Sequence, residues 1–158
     1  MRQEHECDQE QQTNVLLTLV IIMKNTAPLA TLILRVCLGV LFLAHVGLKI
    51  FVFTIPGFVH YFGSLGMPAI AAYLVIALEL FGGIALILGI YAPLIAIPLS
   101  LEMLGTIVMV HGKNGWLFTN KGGGWEYPLF WAISLIVLFL LGDGAFALLP
   151  TRKRAEKA

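Results

Sequence analysis

Four long apolar runs dominate the chain, at about residues 28–53, 68–90, 93–111 and 128–141. A helix that crosses a bilayer needs about 20 largely apolar residues. The pattern therefore predicts four membrane-spanning helices, the last ending at Leu141 or a little beyond. Each run opens with a proline (Pro28, Pro68, Pro93, Pro128), which suits a first helical turn, where its missing N–H has no intrahelical partner to lose. Pro98 lies inside the third run and predicts a kink there. Runs two and three are separated only by Gly89-Ile90-Tyr91-Ala92-Pro93, so they form a tight antiparallel hairpin. Gly66, Gly82, Gly83, Gly89 and Gly105 would let neighbouring helices approach closely.

The flanks differ from the runs. Residues 1–14 are polar, with Glu4, Glu6, Asp8 and Glu10, and are expected to be disordered or frayed. Val15–Met23 is apolar but too short to span, and it either extends the first helix or lies at the interface. The natural start is either Met1 or Met23. The expected organisation is an N-terminal extension (1–27), a four-helix membrane domain (28–149) and a short basic tail (150–158).

Composition narrows the class. Apolar residues make up 59% of the 158 and charged residues 12%, against roughly 45–50% and about 25% in soluble domains. So little charge cannot cover a water-facing surface of this size, which excludes a soluble globular enzyme and leaves an all-α integral membrane bundle. A net charge of +1 gives no footprint for nucleic acid. Cys7 and Cys37 form no C-x-x-C pair, which argues against a paired-thiol redox centre.

Four spans place both termini on one side of the membrane. That side carries Arg2, Lys24, Arg152, Lys153, Arg154 and Lys157, and the other carries Lys113 and Lys121 in loops. The excess of basic residues makes the terminal side cytoplasmic. Loops 54–67 and 112–127 then lie on the opposite, outer side.

Charges inside a bilayer are costly and mark functional sites or structural locks. The first span carries Arg35, His45 and Lys49 along one stripe, with His45 and Lys49 one turn apart. Glu79 and Glu102 fall near the centres of spans two and three, and Asp143 follows the fourth. Arg35 paired with Glu79 or Glu102 balances the buried charge, with Asp143 as a second candidate partner. Such pairs also serve merely to fix helix register. Toward the outer side, His45, Lys49, His111, Trp125 and Glu126 gather near one interface, where an imidazole and a carboxylate can exchange protons. Trp116 and Tyr127 equally fit as interfacial anchors. Glu102 and His111, nine positions apart, face opposite sides of a regular helix unless the Pro98 kink or an early helix end re-aims them. His45, His111 and Glu126 lack diagnostic metal-ligand spacing and Lys49 would repel a cation, so neither metal nor haem is expected.

The ordered set of these pieces resembles the DoxX family of small bacterial membrane proteins. The matching segments are Leu34-Arg35-Val36, Leu38–His45 and Lys49; Gly66-Met67-Pro68; Glu79 with Gly82-Gly83 and Leu88-Gly89; Glu102-Met103 and His111; Gly124–Leu129; and Leu141–Gly144. The resemblance implies a four-helix bundle in the bacterial cytoplasmic membrane and kinship with the membrane subunit of a thiosulfate:quinone oxidoreductase. It implies quinone as the cofactor and redox proteins as partners, in membrane assemblies tied to oxidative or quinone stress. On that basis the expected function is a membrane subunit of a quinone-linked redox system. His45 or His111 would exchange a headgroup proton, Lys49 would steady developing negative charge and Glu126 would relay protons. His45, Trp125 and Glu126 would hold the ring. A non-catalytic anchor or assembly factor for redox partners is the alternative. A small proton-coupled carrier built on Arg35, Glu79 and Glu102 is the third, and it would require a homo-oligomer.

Overall fold

The computed structural model describes the backbone of residues 2–151 and the side chains of residues 11–20 and 26–151. The described residues are helical and joined by short turns and loops. The helices are α1 (Arg2–Gly47), α2 (Ile55–Ser64), α3 (Ala69–Leu88), α4 (Ala92–Thr106) and α5 (Glu126–Leu141). Three continuous helical segments are long and apolar enough to cross a membrane: Thr26–Val52, Ala69–Leu88 and Ala92–Asn114. The helix expected as a fourth span, α5, has 16 residues. At 1.5 Å per residue it rises about 24 Å, less than the roughly 30 Å of a hydrocarbon core.

Two segments differ from the sequence expectation. The N-terminal extension is not a frayed tail: α1 runs unbroken through 46 residues, with Pro28 inside it rather than at its start. Loop 54–67 contains α2, which its Pro-Gly step disguises as a turn. Thr54 caps it, its hydroxyl accepting from Gly57 N at 3.3 Å. Phe58 and Phe62 bury themselves against Ala72 of α3, giving α2 a small core of its own.

The main core lies between α1, α3, α4 and α5 and includes Leu38, Phe42, Leu86, Leu99, Met103, Trp131 and Leu135. α1 packs on α3 and α5, and α4 packs on α3 and α5. Small residues set the α1–α3 spacing. A Cβ at Gly39 would stand 2.6 Å from the Gly83 carbonyl oxygen, and one at Gly83 would stand 3.0 Å from that of Gly39. Gly105, by contrast, faces open space.

The α3–α4 turn is as tight as expected. Gly89 ends α3 with φ +68°, a left-handed conformation that glycine adopts without strain. The segment after α5 returns to this turn. Tyr91 N donates to Leu149 O at 2.8 Å, and Leu149 N donates to Gly89 O at 3.1 Å. Ala145 N donates to Pro28 O at 2.8 Å, tying the same segment to α1.

Candidate functional site

A helix leaves its last carbonyls without intrahelical donors, and in lipid no water can supply them. Arg35 supplies them at the end of α3. Its Nη1 donates to Leu86 O at 2.8 Å and Ile87 O at 2.6 Å, and its Nη2 donates to Ala145 O at 2.9 Å. The side chain is 1% exposed. Arg35 therefore fastens three chain segments through carbonyls and makes no ion pair with Glu79 or Glu102. Asp143 lies within electrostatic reach of it, while the Asp143 carboxylate accepts from Thr151 N at 2.8 Å and Thr151 Oγ1 at 3.1 Å.

The partner of Glu79 is Lys49. Lys49 Nζ and Glu79 Oε2 are 2.5 Å apart, joining α3 to the end of the first span. Both side chains are largely withdrawn from the surface, at 13% and 2% exposure. Lys49 Nζ also lies 5.5 Å from the centre of the Phe58 ring of α2. Glu102 of α4 faces Glu79 and feels the charge of Lys49. Two carboxyls so placed attract each other only when a proton sits between them. Glu79, Lys49 and Glu102 thus form one cluster shared by three helices.

His45 lies one turn before Lys49 on the same helical segment. Its Nδ1 lies 3.0 Å from the Leu41 carbonyl oxygen. A carbonyl only accepts, so Nδ1–H is the donor of this bond. The imidazole meets the Trp131 ring edge-on at 4.8 Å. Phe42 stacks on the same indole at 4.9 Å, with the planes 3° apart. Trp131, absent from the sequence expectation, thus joins α5 to Phe42 and His45 of α1. Its position in an apolar run of α5, without a polar neighbour, gave no signal beyond core packing.

Wide helical turns accompany these residues. Over Leu48–Val52 the α1 helix passes into a π-type turn, with Phe53 N donating to Leu48 O. Over Ile107–His111 the α4 helix does the same, with Gly112 N donating to Ile107 O. Each such turn takes in one extra residue and changes the direction of the side chains beyond it, a feature frequent at functional sites. Lys49 sits on the first wide turn and His111 on the second. The second also breaks the regular phase between Glu102 and His111.

His111 and Glu126 belong to a neighbouring structure, the 112–125 loop. His111 Nδ1 donates to Gly123 O at 2.9 Å. Asn114 Nδ2 reaches Gly122 O and Gly123 O, at 3.0 and 2.9 Å. Glu126 Oε1 accepts from Phe118 N at 2.9 Å, and Trp116 meets Trp125 edge-on at 4.5 Å. Tyr127, just beyond the loop, lies 6.4 Å from Trp131 between ring centres. Among the described residues, no hydrogen bond or ion pair joins His111 or Glu126 to His45, Lys49, Glu79 or Glu102. No group of three or more His, Cys, Asp or Glu side chains there is placed to hold a metal ion. An apolar groove of about 220 Å³ between α4 and α5 is lined by residues such as Ile97, Leu101 and Phe139, and by none of the charged cluster.

A family model described as DoxX matches residues 30–112. The chain is 31% identical, over 135 residues, to the Bacillus subtilis (strain 168) protein named "Putative oxidoreductase CatD". The alignment covers 85% of this chain and 96% of that relative. No solved structure matches.

Proposed function

The chain belongs to the DoxX family, and from that premise we propose that it is the membrane component of a quinone-linked redox system. The observation that carries the reading is the Lys49–Glu79 ion pair with the Glu102 carboxyl beside it, among helices apolar enough to lie in a bilayer. A multi-pass protein does not maintain such charges in lipid without a cost of about 2.5–3.5 kcal/mol each. The oxidoreductase name of the relative supports redox chemistry over a purely structural lock.

The donor set fits a quinone headgroup. Ring oxygens need hydrogen-bond donors and a proton source, and the cluster offers the Lys49 ammonium and the carboxyls of Glu79 and Glu102. A bound quinone supplies a two-electron, two-proton couple, with the electrons drawn from a redox partner protein. Glu102 and Glu79 hold and return protons, and Lys49 keeps negative charge between them tolerable. His45 Nε2, an acceptor beside Trp131, takes up a proton and returns it. His111, Trp125 and Glu126 serve as the path to the outer surface, where Glu126 stands at the first turn of α5. The four packed helices form a bundle in the bacterial cytoplasmic membrane with both termini inside.

The test is the quinol fraction of the membrane quinone pool in a strain lacking the chain. Wild-type chain should restore the fraction seen in the parent strain, and Lys49→Met or Glu102→Leu at equal abundance should not. An unchanged quinol fraction on deletion, under oxidative stress as well as at rest, would refute the reading.

A further inference from the structure

Three buried side-chain atoms lack a hydrogen-bond partner among the described residues: Arg35 Nε, Glu102 Oε2 and Trp131 Nε1. Arg35 Nε belongs to a guanidinium already held by three carbonyls. The other two are not accounted for in that way. An indole N–H is a donor with no acceptor capacity, and buried tryptophans usually find it a partner. Leaving such a group buried and unpaired is costly. Trp131 is 5% exposed, and the Phe42 stack and the His45 edge contact hold its ring in place. The N–H cannot swing elsewhere without breaking both.

The backbones that carry the two orphan atoms lie at nearly one depth. Ser100 Oγ donates to Ala132 O at 3.3 Å and fixes the register of the antiparallel α4 and α5. Glu102 is two residues beyond Ser100 toward the outer side, and Trp131 is one residue beyond Ala132 in the same direction. At 1.5 Å per residue their backbones differ in height by about 1.5 Å. Glu102 faces Glu79 of α3, and Trp131 faces Phe42 and His45 of α1, so both are turned into the space the four helices share.

We propose that Trp131 Nε1 and Glu102 Oε2 are the atoms that bind a ring oxygen of a quinone or quinol, an assignment that rests on the quinone reading above. One ligand oxygen answers both. A ring carbonyl accepts from Nε1 and from a protonated Glu102, and a ring hydroxyl accepts from Nε1 and donates to Oε2. The pair therefore holds both members of the couple, and a proton passes between Glu102 and the ring oxygen along an existing hydrogen bond. Glu79 and Lys49 stand directly behind Glu102 to compensate the change in its charge.

The experiment uses the full chain in phosphatidylcholine nanodiscs, labelled with ¹⁵N-tryptophan and titrated with a decyl-tailed benzoquinone. The sequence holds three tryptophans, so three indole N–H signals are expected. Trp131→Phe assigns the central one, and if that variant fails to fold, Trp116→Phe and Trp125→Phe assign it by elimination. The Trp131 signal should shift saturably while the other two stay in place. In native mass spectrometry of the same samples, Glu102→Leu should raise the quinone concentration for half-occupancy about tenfold. Saturable binding with an unmoved Trp131 signal would overturn this site and leave the quinone reading standing. Failure of the wild-type chain to retain any quinone would overturn the quinone reading itself, and this site with it.

Discussion

Lys49 Nζ of the first span meets Glu79 Oε2 of α3 at 2.5 Å, with Glu79 2% exposed. A buried ion pair is weak evidence of net stability, but breaking one by removing a single partner leaves an uncompensated charge. Lys49→Met is expected to destabilise the fold by about 3–5 kcal/mol. The double variant Lys49→Met/Glu79→Met should recover most of that loss and still fail to restore the quinol fraction. Thermal melting in detergent, followed by tryptophan fluorescence, checks the first statement. A double variant as unstable as the single one would show that the pair contributes more than mutual neutralisation.

Arg35 occupies three carbonyl groups from two segments far apart in sequence. Arg35→Lys keeps the charge but presents one compact ammonium in place of a planar fork. It should leave at least one carbonyl unpaired, at a cost of about 1–3 kcal/mol. The loosened part should be the return of residues 142–151 onto the α3–α4 turn. Limited proteolysis of purified protein should cut that segment faster in the variant, and equal cutting rates would count against the clasp.

Gly89 combines a φ of +68° with no room for a side chain. A Cβ there would stand 2.7 Å from Ala147 Cα and 2.8 Å from Arg35 Nη1. Gly89→Ala should lose about 2–4 kcal/mol, from backbone strain and the displaced Arg35 clasp together. Gly105→Ala, with nothing within 4 Å of its Cβ, should stay within about 1 kcal/mol of the parent. Side-by-side denaturation of the two variants distinguishes the crowded glycine from the free one.

The α1–α3 seam predicts a graded response. At Gly39 a Cβ would meet the Gly83 carbonyl oxygen at 2.6 Å and Ile87 Cγ1 at 2.7 Å. Gly39→Ala forces the two helices apart, and overpacking of this kind costs about 1–3 kcal/mol. It should also weaken the Lys49–Glu79 pair farther along the same seam. Lys49→Met should then cost measurably less in the Gly39→Ala background than in the parent, a coupling that a double-mutant cycle reads directly. Strict additivity would argue against transmission along the seam.

The sequence by itself determined the membrane class, three long spans placed within a few residues of Thr26–Val52, Ala69–Leu88 and Ala92–Asn114, the tight turn at Gly89 and the family. These follow from local properties: the length of apolar runs, the placement of Pro and Gly, and charges that stand out against an apolar background. That Lys49, Glu79 and Glu102 stand as charges within apolar spans was legible for the same reason. Which charge met which was not. The stripe Arg35–His45–Lys49 is compatible with several neighbours, and the choice depends on how far α3 slides along α1, which the Gly39–Gly83 contact decides. That register gives Glu79 to Lys49 and leaves Arg35 facing the carbonyl end of α3. The wide turns at Leu48–Val52 and Ile107–His111 could not be read either, because regular helical spacing carries no mark of an extra residue. α2 was hidden by its Pro-Gly step and became a helix through the packing of Phe58 and Phe62 on Ala72. Trp131 was invisible as a polar group for a related reason. In sequence an indole counts as apolar, and only burial without a partner for its N–H makes it chemistry.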